Sequence, residues 1–108
     1  MEIEVAGRTF SGPFTETSEL INRSGIYFVA RMWHGNTQVL QVGESRMLKE
    51  AADRWLPANP PIQPYQLAVF VHYTPSLDEQ SRKCLATEVA QELQAMLPDT
   101  QSCQAALA

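Results

Sequence analysis

The sequence predicts an α+β domain, one small and mostly antiparallel sheet flanked by helices. Three observations predict it. Between Ser24 and Ser45, His34-Gly35-Asn36 breaks two runs rich in Val, Leu, Ile and aromatic residues, which is a hairpin signal. Tyr65–Tyr73, YQLAVFVHY, is apolar on both alternating faces, as a strand covered from both sides is. Two stretches, 46–56 and 76–97, place apolar residues three and four apart, the spacing of a helix with one buried stripe.

Each element has its own local reasons. Glu2–Phe14 reads as a short, irregular hairpin: Ile3 and Val5 alternate with Glu2, Glu4 and Ala6, and Gly7 turns the chain. Thr15–Arg23 reads as a short helix with Thr15 as N-cap, Glu16 and Glu19 near its positive end, and Leu20 and Ile21 buried. Ser24-Gly25 releases the chain into the main hairpin. With a three-residue loop and Trp33 opposite Thr37, Tyr27 faces Gly43, Val29 faces Gln41 and Arg31 faces Val39. One face then carries Ile26, Phe28, Ala30, Met32, Leu40 and Val42. The other gathers Tyr27, Arg31 and Gln41 among Val29 and Val39, and Gly43 leaves room beside the Tyr27 ring.

Ser45 is placed to cap a helix from Arg46 to Leu56, with Leu48, Ala51, Ala52 and Trp55 as its buried stripe and Pro57 as its end. The segment PANPPIQP is a stiff connector. After the strand at 65–73, Ser76 and Glu79 stand at capping-box spacing and open a long helix to Leu97. Its seam is Leu85, Val89, Leu93 and Met96, and Pro98 ends it. The tail, DTQSCQAALA, reads as helix or disorder without deciding between them. The whole chain, 1–108, is expected to be a single domain.

Bulk composition narrows the function. Hydrophobic residues make up 44% and charged residues 19% of the 108 residues, as in ordinary globular proteins. No apolar run is long enough to span a membrane. MEIEVAGR lacks the basic start and apolar block of a signal peptide, so a cytoplasmic address is expected. Cys84 and Cys103 follow no metal spacing and read as reduced thiols. The net charge of −4, with no strongly basic block, argues against tight nonspecific nucleic-acid binding.

The order strand, strand, helix, strand, helix, with Gly25-Ile26-Tyr27 opening the first strand and Gln41-Val42-Gly43 following the turn, resembles the GIY-YIG nuclease superfamily. The resemblance covers 24–98, with 1–23 as an N-terminal elaboration and 99–108 as a tail. It implies hydrolysis of a DNA phosphodiester with Mg2+ or Mn2+. A tyrosine handles the proton of the attacking water, a second tyrosine supports it, an arginine clamps the phosphate and a glutamate binds the metal. Those residue types suit the chemistry: a base must reach the nucleophile, a guanidinium matches two phosphate oxygens, and a hard cation wants a carboxylate.

The match is partial. Tyr27 fits, but Gln41 stands where the second tyrosine belongs, and an amide lacks a phenol's proton chemistry. The arginine expected eight residues after Gly43 is replaced by Ala51; Arg54, one helical turn further, and Arg46, at the helix start, are the nearest. Glu88 is the metal ligand chosen by its spacing to Pro98, with Glu92, nearer the apolar seam, as the alternative. Each residue also has an ordinary structural reading. Tyr27 packs on a sheet with its hydroxyl at water or a neighbour, Glu88 is a solvated helix flank, and Arg54 pairs with Glu50. His34 is exposed at a turn, and His72 is a packed, hydrogen-bonded strand histidine.

Loss of a charge clamp on a phosphoryl transition state costs on the order of a thousandfold in rate. The sequence thus points to a catalytically impaired GIY-YIG-like domain that binds a ligand or a protein partner through the Tyr27 face. Two alternatives stand beside it. One is a divergent metal-dependent DNA endonuclease using Tyr27, Arg54 and Glu88. The other is an unrelated self-associating module in which GIY is accidental; a two-fold homodimer suits its size.

Overall fold

The computed structural model describes residues 2–33, 36–54, 66–96 and 105–106. The protein is α+β, as the hydrophobic patterning predicts. Among the described residues six strands form one sheet: β1 (Glu2–Val5), β2 (Arg8–Phe14), β3 (Gly25–Trp33), β4 (Asn36–Ser45), β5 (Gln66–Tyr73) and β6 (Ala105–Ala106). Their order is β1-β2-β5-β3-β4-β6. All pairings are antiparallel except the two-residue parallel contact of β6 with Val42 and Gly43 of β4. Among the described residues two helices, α1 (Leu48–Ala52) and α2 (Glu79–Met96), accompany the sheet. Neither is long and apolar enough to cross a membrane.

β3 holds the centre because both its edges are paired along most of its length, with β4 on one side and β5 on the other. Its side chains alternate between two cores. Ile26, Phe28 and Ala30 join Val5, Phe10, Val42 and Phe70 beneath Leu85, Ala86, Val89, Ala90 and Leu93 of α2. Tyr27 and Val29 join Val69 and Val71 on the opposite face, beneath Leu20 and the Leu48 and Ala52 stripe of α1. The sheet is therefore a middle layer between two coverings. Phe28 stacks on Phe70, with ring centroids 4.7 Å apart, and tilts against Phe10 at 5.3 Å. β5 is covered on both faces, as its continuous apolar run requires.

The first hairpin turns at Ala6 and Gly7, with φ of 52° and 73°. Both values are positive, as the commonest two-residue hairpin turn requires, and Gly7 meets that demand without strain.

The structure corrects the expected register of the main hairpin over its outer half. Tyr27 opposes Gly43 and Val29 opposes Gln41, as the alternation indicates, but the register shifts between Val29 and Ala30. Ala30 then opposes Val39, Arg31 opposes Gln38 and Trp33 opposes Asn36. Leu40 is the extra residue of a bulge, and a bulge moves the residues beyond it to the other face. Val39 accordingly enters the α2 core at 0% exposure, where Leu40 was expected, and Leu40 is only half-buried. His34 and Gly35 lie outside the described residues.

Three helix boundaries also differ from expectation. Thr15–Arg23 holds only a 3-10 turn, Thr17–Glu19, and Ile21 is 54% exposed while Leu20 is buried. A helix there would have one apolar anchor, too little to offset the cost of nucleation. α1 starts at Leu48 rather than Arg46. The Ser45 hydroxyl accepts the Met47 N–H at 3.0 Å, and the Leu48 N–H donates to the Arg23 carbonyl at 2.9 Å, so a neighbouring segment takes the place of a side-chain cap. α2 starts three residues after Ser76, capped by Asp78, whose Oδ1 accepts the Ser81 N–H at 2.8 Å. That contact holds the Asp78 carboxyl below its usual pKa range. Trp55, the proline-rich connector, Leu97, Pro98 and Cys103 lie outside the described residues. Of the tail, only the paired residues 105–106 are described.

Candidate functional site

Tyr27 sits on β3 with its ring over Gly43 of β4. A Cβ built on Gly43 would lie 2.7 Å from the phenol oxygen and 2.8 Å from Cζ, so only glycine admits the ring in this position. The residue is 7% exposed. Gln41, two positions along the same face of β4, and Arg54, just beyond α1, lie close enough to act on the hydroxyl. Burial dominates these influences and raises the pKa above the usual phenol value. The Arg54 charge and the Gln41 amide oppose it, and Glu44 adds to it. Three of the four residues singled out in the sequence therefore gather around one hydroxyl.

The fourth does not join them. Glu88 is exposed on α2, and the side chains of α2 pack on the face of the sheet opposite to Tyr27. Glu92 is exposed on the same helix. The expected convergence of the α2 acid on the phenol is corrected by topology: α2 and the Tyr27 ring are on different sides of β3. Among the described residues no three His, Cys, Asp or Glu side chains come together as a metal site requires. The groups around Tyr27, an amide and a guanidinium, do not fit a hard divalent ion, which takes carboxylate oxygens.

The remaining candidates have structural duties. His72 Nδ1 lies 2.9 Å from the Thr9 carbonyl and its ring packs on Phe10, so it ties β5 to β2. Arg31 donates to Gln38 across the hairpin. Arg46 is exposed at the turn into α1 and lines a cleft there. Cys84 is an exposed free thiol.

Sequence reasoning passed over one pair. Glu44 and Arg82 form an ion pair with Nε 2.8 Å from Oε2 and side chains 4% and 5% exposed; Arg82 Nη1 also donates to the Leu77 carbonyl at 2.9 Å. The signal was present. Glu44 follows Val42 by two, which places a carboxylate on a core-facing strand position, and Arg82 precedes Leu85 by three on the helix seam. Two opposite charges on facing apolar stripes predict a buried pair.

Comparison with protein-family models, with curated proteins and with solved structures finds no match to this chain.

Proposed function

We propose that the protein is a binding domain on a GIY-YIG-like core, impaired for phosphodiester hydrolysis, that receives a ligand or a protein partner at the surface where Tyr27, Gln41 and Arg54 meet. The observation that carries this reading is the state of Tyr27. A catalytic base at neutral pH needs a pKa near 7, whereas burial moves this phenol in the opposite direction. A neutral hydroxyl beside an amide and an exposed guanidinium suits hydrogen-bonded recognition. The β4-β3-β5 arrangement about the strand that opens with Gly25-Ile26-Tyr27 supports the likeness of the core.

The approach of Arg54 to Tyr27 favours the endonuclease as the second reading. Incubation of supercoiled plasmid with magnesium or manganese separates the two. The binding reading expects no nicking above the metal-only control. Nicking that disappears in both Tyr27→Phe and Arg54→Ala would overturn it.

A further inference from the structure

The Glu44–Arg82 pair forms the floor of a cleft between the β4–α1 turn and the first turn of α2. The cleft has a volume of about 230 Å³, and its lining includes Glu44, Arg46, Glu50, Glu79 and Arg82, but not Tyr27, Gln41 or Arg54. A single water needs about 10–15 Å³ on a comparable measure, so the space is of ligand size.

The floor is built from charges that are almost fully removed from water. Their bonds with each other and with Leu77 use Glu44 Oε2 and Arg82 Nε and Nη1. Glu44 Oε1 and Arg82 Nη2 take no part in those bonds, and neither is an enclosed side-chain atom left without a partner. One acceptor and one donor thus remain at the floor of an open cleft.

Above them stand the exposed charges of Arg46, Glu50 and Glu79. The tie of Glu79 to Lys83, at 3.4 Å with Glu79 62% exposed, is a solvated surface pair that a ligand can compete with. Once the floor pair is counted as neutral, the rim carries one positive and two negative charges. The carboxylates form no metal-binding cluster. The complement of such a rim is an organic molecule with one carboxylate and two cationic groups.

We infer that this cleft binds a free basic α-amino acid. The α-carboxylate is met by Arg46 and Arg82 Nη2. The α-ammonium and the side-chain cation are met by Glu44 Oε1 and the Glu50 and Glu79 carboxylates. Charge-assisted bonds to a desolvated floor supply the affinity, and the mixed signs supply the selectivity.

Isothermal titration of the full chain with L-arginine and L-lysine tests this, with L-glutamate as the probe of inverted charge. Saturable binding of at least one basic amino acid is expected, with no binding of glutamate. Arg46→Gln and Glu50→Gln change exposed residues and leave the core intact, which thermal melting verifies; each is expected to weaken binding about tenfold, the equivalent of ~1.4 kcal/mol. Tyr27→Phe is expected to leave the affinity unchanged, which separates this cleft from the surface proposed above. The inference is overturned if neither basic amino acid binds at concentrations up to about 10 mM, which corresponds to less than ~3 kcal/mol of affinity. Equal binding of glutamate, or indifference to both rim substitutions, overturns it as well.

Discussion

Tyr27 and Gly43 form a matched pair. The phenol lies where any β-carbon on Gly43 would stand, 2.7 Å from its oxygen and 2.8 Å from Cζ. Gly43→Ala is therefore expected to destabilise the protein by about 1–3 kcal/mol, the usual cost of overpacking. Combining it with Tyr27→Leu, which removes the ring, is expected to recover part of that loss. Chemical denaturation of both single variants and the double variant measures the coupling. Glu44 and Arg82 are matched in another way, by charge. Arg82→Leu leaves a carboxylate buried without its partner and is expected to cost about 3–5 kcal/mol. Adding Glu44→Met removes the stranded charge and is expected to restore most of the stability in the same denaturation experiment.

At the scale of the elements, the bulge at Leu40 decides which half of β4 feeds which core. Val39 is sealed beneath α2 and Leu40 is half-buried. Val39→Ala is expected to lower stability by about 1–3 kcal/mol and Leu40→Ala by less, measured by urea denaturation. A strictly regular hairpin would give the reverse ranking. The inner half of this hairpin has the expected register because two departures cancel: Trp33 opposes Asn36 rather than Thr37, and the extra residue at Leu40 restores the pairing, so Tyr27, Val29, Gln41 and Gly43 share one face. The outer half was not legible, since Val39 and Leu40 are both apolar and adjacent, and hydropathy alone does not say which one turns inward. The helix starts were misplaced for a related reason. Ser45 and Ser76 are good caps in isolation, but the Leu48 N–H goes to the Arg23 carbonyl while Ser45 holds only the Met47 N–H, and α2 is capped two residues later by Asp78, which accepts the Ser81 N–H. The Arg23 contact comes from a distant segment and leaves no local trace.

The molecule is a sheet with two separate coverings, and that layering decides which candidate residues can meet. Strand patterning revealed the α+β class and β5 as a strand covered on both faces, and it brought Tyr27 and Gln41 to one face; Arg54 was singled out only through the family resemblance. The apolar β3 face of Ile26, Phe28 and Ala30 is the natural seat of the α2 seam, and α2 packs there; it was the family resemblance, not the patterning, that set an α2 acid against the Tyr27 face. That packing separates Glu88 from Tyr27 and leaves the phenol as a buried, neutral hydroxyl beside an amide and a guanidinium. Because its pKa is raised in the folded state, Tyr27 contributes stability that is complete below the unfolded value of about 10 and is lost as pH rises through the folded value. The difference in phenolate absorbance between the native protein and Tyr27→Phe, followed through an alkaline titration, reads this group directly. The expected result is ionisation of Tyr27 only above the range of an exposed tyrosine. Ionisation at or below that range, toward neutrality, would contradict a recognition role for the phenol and return it to the part of a catalytic base.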